Sequence, residues 1–308
     1  MRKRCLTTLL CLTLCIAFSG CGKEQKETDN KENKGTLLEA KEINVADGIT
    51  VKFSEFEVDS SVDDSSIHIT LEDDASQADH QNVTVEENII TISEAGTYVL
   101  KGSLSDGKIV VNADKTEKVK LVLDNVDVAC SEGAPLVVES ADKTVLTLAE
   151  GSVNTFTDAT ASAGDASVNA CICSKDDLAI NGTGTLIVNG NVNNGIGSKN
   201  DLEIISGTIQ VQAVKNGLKG NDSVSVLTGT IGITCGKDGI KSDNDTETGK
   251  GFVYIENAAV TVNAGDDGIQ AVNAIVYKSG SYEVTCTGKK TNCDVLEDIS
   301  ETVKVTEK

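Results

Sequence analysis

An internal repeat limits this chain more than any other feature. Asn194-Gly195-Ile196, Asn216-Gly217-Leu218, Asp238-Gly239-Ile240 and Asp267-Gly268-Ile269 recur with Gly-to-Gly steps of 22, 22 and 29 residues. After each glycine come a polar turn and an alternating strand: Asp201-Leu202-Glu203-Ile204, Ser223-Val224-Ser225-Val226, Val253-Tyr254-Ile255 and Ala274-Ile275-Val276-Tyr277. A second strand follows within Ser206 to Val211, Thr228 to Ile233, Val260 to Val262 and Gly280 to Val284, and a looser copy runs from Ser174 to Val188. Each unit therefore has one apolar face that it cannot bury alone, and stacking its neighbours buries it. The expected fold is all-β, a right-handed single-stranded parallel β-helix with about 22 residues per coil. The inner columns would read Ile180/Ile204/Val226/Ile255/Tyr277 and Val188/Val211/Ile233/Val262/Val284. A two-sheet sandwich of hairpins is the alternative, but it needs no columns in constant register.

Composition agrees with a layered core. There are 28 glycines, one proline, no tryptophan and 3% aromatics, so large side chains cannot be what fills the interior. Earlier strands are expected at Ile89 to Ile92, Tyr98 to Leu100, Lys108 to Val111, Val119 to Leu123 and Val145 to Leu148. The reading divides the chain into N-terminal strands or a cap (41–88), the β-helix (89–290) and a C-terminal cap or tail (291–308). The step of 29 places seven extra residues around Thr246 to Gly251, as a protruding loop.

The N-terminus reads as an export signal. Arg2, Lys3 and Arg4 precede an apolar stretch, Leu6 to Ala17, too short for a lasting transmembrane helix. Phe18-Ser19-Gly20-Cys21 resembles a bacterial lipobox, with Phe18 where leucine is usual. Residues 1–20 would be the lipoprotein signal, Cys21 the lipidated residue, and 21–40 a flexible tether rich in Lys, Glu, Asn and Asp. The expectation is a monomeric bacterial lipoprotein on the extracellular face, held to the membrane through its lipid anchor only. The net charge is −21 with 48 acids against 27 bases, and loss of residues 1–20 would make it (27 − 3) − 48 = −24. Nucleic acid is excluded as a partner on that charge, since phosphate contacts would compete with a surplus of carboxylates.

Much of the acid falls at the turns. Superposed repeats align Asp176, Asn200, Asp222, Asn244 and Asn273, and beside them Asp177, Asp201, Ser223, Asp245 and Ala274. A further column is Asn194, Asn216, Asp238 and Asp267, flanked by Asn193, Lys215, Lys237 and Asp266. Carboxylates one rung apart repel unless a cation bridges them, and oxygen-only ligands suit Ca²⁺. The candidate metal ligands are Asp176, Asp177, Asp201, Asp222, Asp238, Asp243, Asp245, Asp266 and Asp267. Turn chemistry is the competing account, because Asn and Asp tolerate left-handed backbone and form side-chain ladders; for the asparagines it is the preferred one.

Ile90-Thr91-Ile92, Ala95-Gly96-Thr97-Tyr98-Val99-Leu100, Gly107-Lys108-Ile109-Val110-Val111, Leu148-Ala149-Glu150-Gly151, Ser174-Lys175-Asp176-Asp177-Leu178 and the Asp-Gly-Ile repeats resemble a known family. It is that of bacterial secreted carbohydrate-binding domain-containing proteins with a pectate-lyase-like parallel β-helix, and the likeness spans roughly residues 65 to 288. The resemblance implies bound Ca²⁺ and a polysaccharide partner, plant-type or acidic. The family's turns usually read Asp-Asp-Gly; here Asn193-Asn194, Lys215-Asn216 and Lys237-Asp238 replace the first acids, and only Asp266-Asp267-Gly268 keeps the full form.

A polysaccharide lyase or hydrolase on the same fold is the enzyme reading, and an adhesive β-helix with protein partners is a third. Such lyases commonly use an arginine base, and no Arg follows Arg4. Lysine beside carboxylates is held as ammonium, the wrong form for a base. His68 and His80, the two histidines, precede the repeat. The expectation is therefore a binding protein without catalytic residues, whose candidate carbohydrate contacts are Lys215, Lys219, Lys237, Lys241 and Tyr254, the tyrosine predicted outward. Cys235 and Cys286 fall two rungs apart in one column, too far for a disulfide, and read as buried thiols.

Overall fold

A computed structural model describes residues 38–46, 48–78, 80–159, 168–298 and 305–306. The expected signal, Cys21 and the tether up to residue 37 lie outside the described residues, as do 299–304 and 307–308 of the tail. Apart from one short helix, Glu55–Val58, the described regular structure is β-strand, and most strand pairs are parallel.

The strands stack in three parallel ladders. The first runs through Ile89–Ile92, Lys108–Asn112, Leu136–Ser140, Ala170–Ser174, Asn194–Ser198, Leu218–Gly220, Ile240–Ser242, Ile269–Ala271 and Thr291–Asn292. The second contains Lys143–Leu148, Asp177–Gly182, Asp201–Ile204, Ser223–Val226, Phe252–Ile255, Ala274–Tyr277 and Val295–Asp298. Val153–Thr157, Thr185–Gly190, Thr208–Ala213, Gly229–Cys235, Ala258–Ala264, Gly280–Cys286 and Val305–Thr306 make the third. At the N-terminal end Gly96–Leu104 and Lys118–Ala129 each run through the second and third ladders as a single strand.

Both expected inner columns are present residue by residue. Ile180 pairs with Ile204, Ile204 with Val226, Val226 with Ile255 and Ile255 with Tyr277. Val188, Val211, Ile233, Val262 and Val284 form the second such column. All of them belong to one continuous buried cluster. Stacking like on like lets each rung fill the space left by its neighbour, which is why the core needs few aromatics.

One strand per repeat was not legible. The sequence places a turn after each repeat glycine, whereas the structure makes that segment the first ladder. Its members there are as short as three residues, Leu218–Gly220, Ile240–Ser242 and Ile269–Ala271, too short for a period of two to show. The preceding glycines are needed for space. A Cβ added to Gly195, Gly217, Gly239 or Gly268 would stand 2.2–2.3 Å from a methyl of Val211, Ile233, Val262 or Val284. The branched core column thus dictates the repeat glycine beside it.

The N-terminal strands go to two places. Ile67–Leu71 pairs in parallel with Tyr98–Gly102, and Val83–Glu86 pairs antiparallel with Ile89–Ile92 at the end of the first ladder. Lys41–Ala46 and Ile49–Phe53 instead form an antiparallel hairpin. Its Val45, Ile49, Val51 and Phe53 pack on Ile205, Leu227, Phe252, Tyr254, Ala274 and Val276, on the outer side of the second ladder.

Candidate functional site

The column ahead of the first ladder is a hydrogen-bonded staircase. Asn216 donates its backbone N–H to Asn194 Oδ1 at 3.1 Å, Asp238 to Asn216 Oδ1 at 3.1 Å, Asp267 to Asp238 Oδ1 at 3.2 Å, and Lys289 to Asp267 Oδ1 at 2.7 Å. Each side-chain oxygen satisfies the amide of the next rung, which accounts for Asn and Asp here without any ligand. Where the column turns acidic, something is added. One carboxylate oxygen from each of Asp238, Asp266 and Asp267 lies within 4.8 Å of the others. Asp238 is buried and Asp266 exposed. One ammonium, that of Lys241, reaches Asp238 Oδ2 at 2.8 Å, so three carboxylates share one paired cation among the described residues. Such an oxygen-only set is the donor chemistry of a hard divalent ion.

Four of the other acids named from the sequence are dispersed. Asp222 accepts Lys250 at 2.6 Å and Asn244 at 2.7 Å; burial opposes its charge, but these bonds and that of Asn221 win and lower its pKa. Asp243 pairs with Lys219 at 2.8 Å. Asp176 meets Lys115 at 3.4 Å and the backbone N–H of Ala141 at 3.2 Å. Asp245 does not share a column with Ser223, because Phe252 takes that register. The seven inserted residues fall between Asn244 and the strand, which leaves Asp245 exposed at the start of the loop.

Asp177 and Asp201 belong to a different cluster, centred on Lys143. Its ammonium contacts Glu57, Glu203 at 2.8 Å and Asp177 at 3.4 Å. Burial pushes the Glu203 carboxyl up to about 7 against the pull of Lys143, and burial also raises Asp201. Burial works against the Lys143 charge as well, but Glu203 and Asp177 outweigh it and hold the ammonium above its ordinary range. Glu57, Lys143 and Glu203 were not legible as a site. Glu203 stands at an outward position of Asp-Leu-Glu-Ile, and nothing local says that a helix from residues 55–58 will cover it.

Of the expected carbohydrate contacts, Lys215 and Lys237 are exposed on adjacent rungs, Lys237 N–H donating to Lys215 O at 3.1 Å and Asp266 N–H to Lys237 O at 3.2 Å. They flank the acidic trio. Lys219 and Lys241 also stack, but each is engaged by an aspartate. Tyr254 points outward from the ladder as expected and yet is 0% exposed. The hairpin covers it, with the Phe53 ring 6.5 Å away and its hydroxyl donating to Glu256 at 2.7 Å. It cannot contact a glycan while the hairpin is in place.

The described cysteines are free, Cys130, Cys171, Cys173 and Cys235 buried and Cys286 and Cys293 half-buried. No described helix is long and apolar enough to cross a membrane.

Comparison with known proteins places this geometry. A "Carbohydrate-binding domain-containing protein" of Acetivibrio thermocellus is 42% identical over 246 residues, 78% of this chain and 86% of the relative. A solved structure described as the polysaccharide lyase-like protein from C. thermocellum, gadolinium derivative, superposes with a TM-score of 0.76 at 38% identity, covering 78% of this chain and all of the other. The family model for carbohydrate-binding domain-containing proteins matches residues 86–307, most of the three-ladder region. The chain belongs to the carbohydrate-binding domain-containing protein family.

Proposed function

We propose that the three ladders are the faces of a right-handed parallel β-helix, and that this protein is a lipid-anchored surface protein that holds polysaccharide along the helix side without cleaving it. The observation that carries the reading is the edge where Asp238, Asp266 and Asp267 converge beside the exposed Lys215 and Lys237. Asp238, Asp266 and Asp267 would hold Ca²⁺, which supplies positive charge for the carboxylates of an acidic glycan. The two lysines add direct contacts on neighbouring rungs, a periodicity that suits a linear chain. Family membership supports a carbohydrate partner.

A lyase is the second reading, favoured by the description of the structural relative as lyase-like. Against it, Lys143 and Lys250, each at a carboxylate, are held as ammonium above the ordinary lysine range, the wrong form for a base.

The test is co-sedimentation with polygalacturonate, with and without EDTA, while absorbance of unsaturated product is followed. Binding that EDTA abolishes, without product, is expected. Binding indifferent to EDTA would remove calcium from the reading, and unsaturated product would make the protein a lyase.

A further inference from the structure

We propose that the cleft between the N-terminal hairpin and the outer side of the second ladder is a separate saccharide site, built for a neutral sugar unit. The inference rests on the carbohydrate-binding reading but uses none of the residues of the acidic edge.

The cleft arises from how the outer column changes along the ladder. In register, Lys143 is followed by Asp177, Asp201, Ser223 and Phe252, and the next outward column runs Ala179, Glu203, Ser225 and Tyr254. The hairpin rests on the aromatic rungs and the short helix on Lys143 through Glu57. Between these two supports lie the serine rungs, whose side chains are too small to meet the cover. The result is a cavity of 390 Å³, within the size range of small-molecule sites.

Its lining has the chemistry of hydroxyl recognition. Ser225 is 2% exposed, lines the cavity and makes no side-chain hydrogen bond among the described residues. Its hydroxyl is therefore left to bond whatever occupies the cavity, as donor or acceptor. Next to it Ser223 donates to Asp201 Oδ1 at 2.6 Å, and Asp201 makes no ion pair among the described residues, so it can accept from a diol. Phe252, 5% exposed beneath the hairpin, closes the cavity on its apolar side.

Charge selects the class of occupant. The lining holds five carboxylates and four lysines, close to balance, which disfavours a polyanion. Lys143 already stands where a metal would have to sit among Glu57, Asp177 and Glu203, so the cleft is not a second cation site. Mixed donors and acceptors and near-neutral charge fit an uncharged polyol.

The test is calorimetric titration of the protein with cellobiose, xylobiose and β-1,4-galactobiose, in EDTA. At least one neutral disaccharide is expected to bind. Ser225→Phe, which fills the cavity, and Asp201→Asn should each weaken it about tenfold or more, the loss of roughly one good polar contact. No binding of any of the three at millimolar concentration would overturn the proposal. So would unchanged affinity in the variants; if Ser225→Phe does not fold, Asp201→Asn decides alone. Polygalacturonate sedimentation separates the two readings: if it fails while disaccharide binding persists, the calcium edge falls and the cleft stands, and the reverse result removes only the cleft.

Discussion

Two carboxylate clusters on this protein have opposite fates. Around Lys143 three acids converge on one ammonium beneath a covering helix, with the side chains of Glu57 and Glu203 only 2% and 6% exposed. At the edge of the first ladder Asp238, Asp266 and Asp267 also converge, but among the described residues only Asp238 is paired, with Lys241, and Asp266 is open to solvent. In the first cluster the compensating cation is part of the fold, so it cannot be exchanged. The second leaves its surplus charge where an external cation can reach it. The lesson is that acid count does not identify a metal site; what matters is whether a lysine already occupies the centre.

Four measurements bear on this contrast. Lys143→Met strands buried carboxylates and should cost about 3–5 kcal/mol in equilibrium urea unfolding; a loss under about 1 kcal/mol would mean the cluster is not held by its ammonium. Next comes pH. Glu203 titrates near 7 in the folded chain against 4.5 ordinarily. The native state therefore binds the extra proton, and this group's contribution is full below about 4.5 and lost as pH rises to about 7. That amounts to at most about 3 kcal/mol. Glu203→Gln should flatten the thermal midpoint between pH 4.5 and 7.5, and an unchanged slope would show that Glu203 is not the group responsible.

At the open edge, Ca²⁺ at about 100 times its dissociation constant should stabilise the protein by about 2.7 kcal/mol. The double variant Asp266→Asn, Asp267→Asn should show no such shift in a thermal melt with and without the ion. If wild type shows none either, the two clusters are alike in being closed to metal. The smallest effect is expected at an exposed pair. Lys101 lies 3.3 Å from Asp124 and is 68% exposed, so Lys101→Ala should change stability by less than about 0.5 kcal/mol, which would confirm burial rather than proximity as the source of the first effect.

What could be read in advance follows from range. The columns Ile180 to Tyr277 and Val188 to Val284 were legible because stacking makes spatial neighbours of residues one period apart, turning a three-dimensional contact into a sequence pattern. The trio of Asp238, Asp266 and Asp267 was legible for the same reason, although it came with six other aspartates that the structure places elsewhere. The covering of Tyr254 was not, since the partner is Phe53 and no period links them. Nor was the role of Lys143, whose neighbours Glu57 and Glu203 come from distant parts of the chain. Asp245 was misplaced because an insertion of seven residues can be put on either side of it without disturbing the apolar pattern. Repetition encodes contacts along the stack and says nothing of what is laid across it.

The hairpin also sets an order of events. Lys41 meets Glu256 across 215 positions, a contact far more remote than the neighbour-to-neighbour ones that build the ladders. During synthesis residues 41–53 emerge first, and their docking surface, Leu227 through Val276, does not exist until several rungs have been laid down. Loop closure of that span is slow compared with adding a rung. The hairpin therefore docks late, and until then Tyr254 and Val276 face water. A nascent or truncated chain would carry that greasy face uncovered, a handle for chaperones and a liability for aggregation.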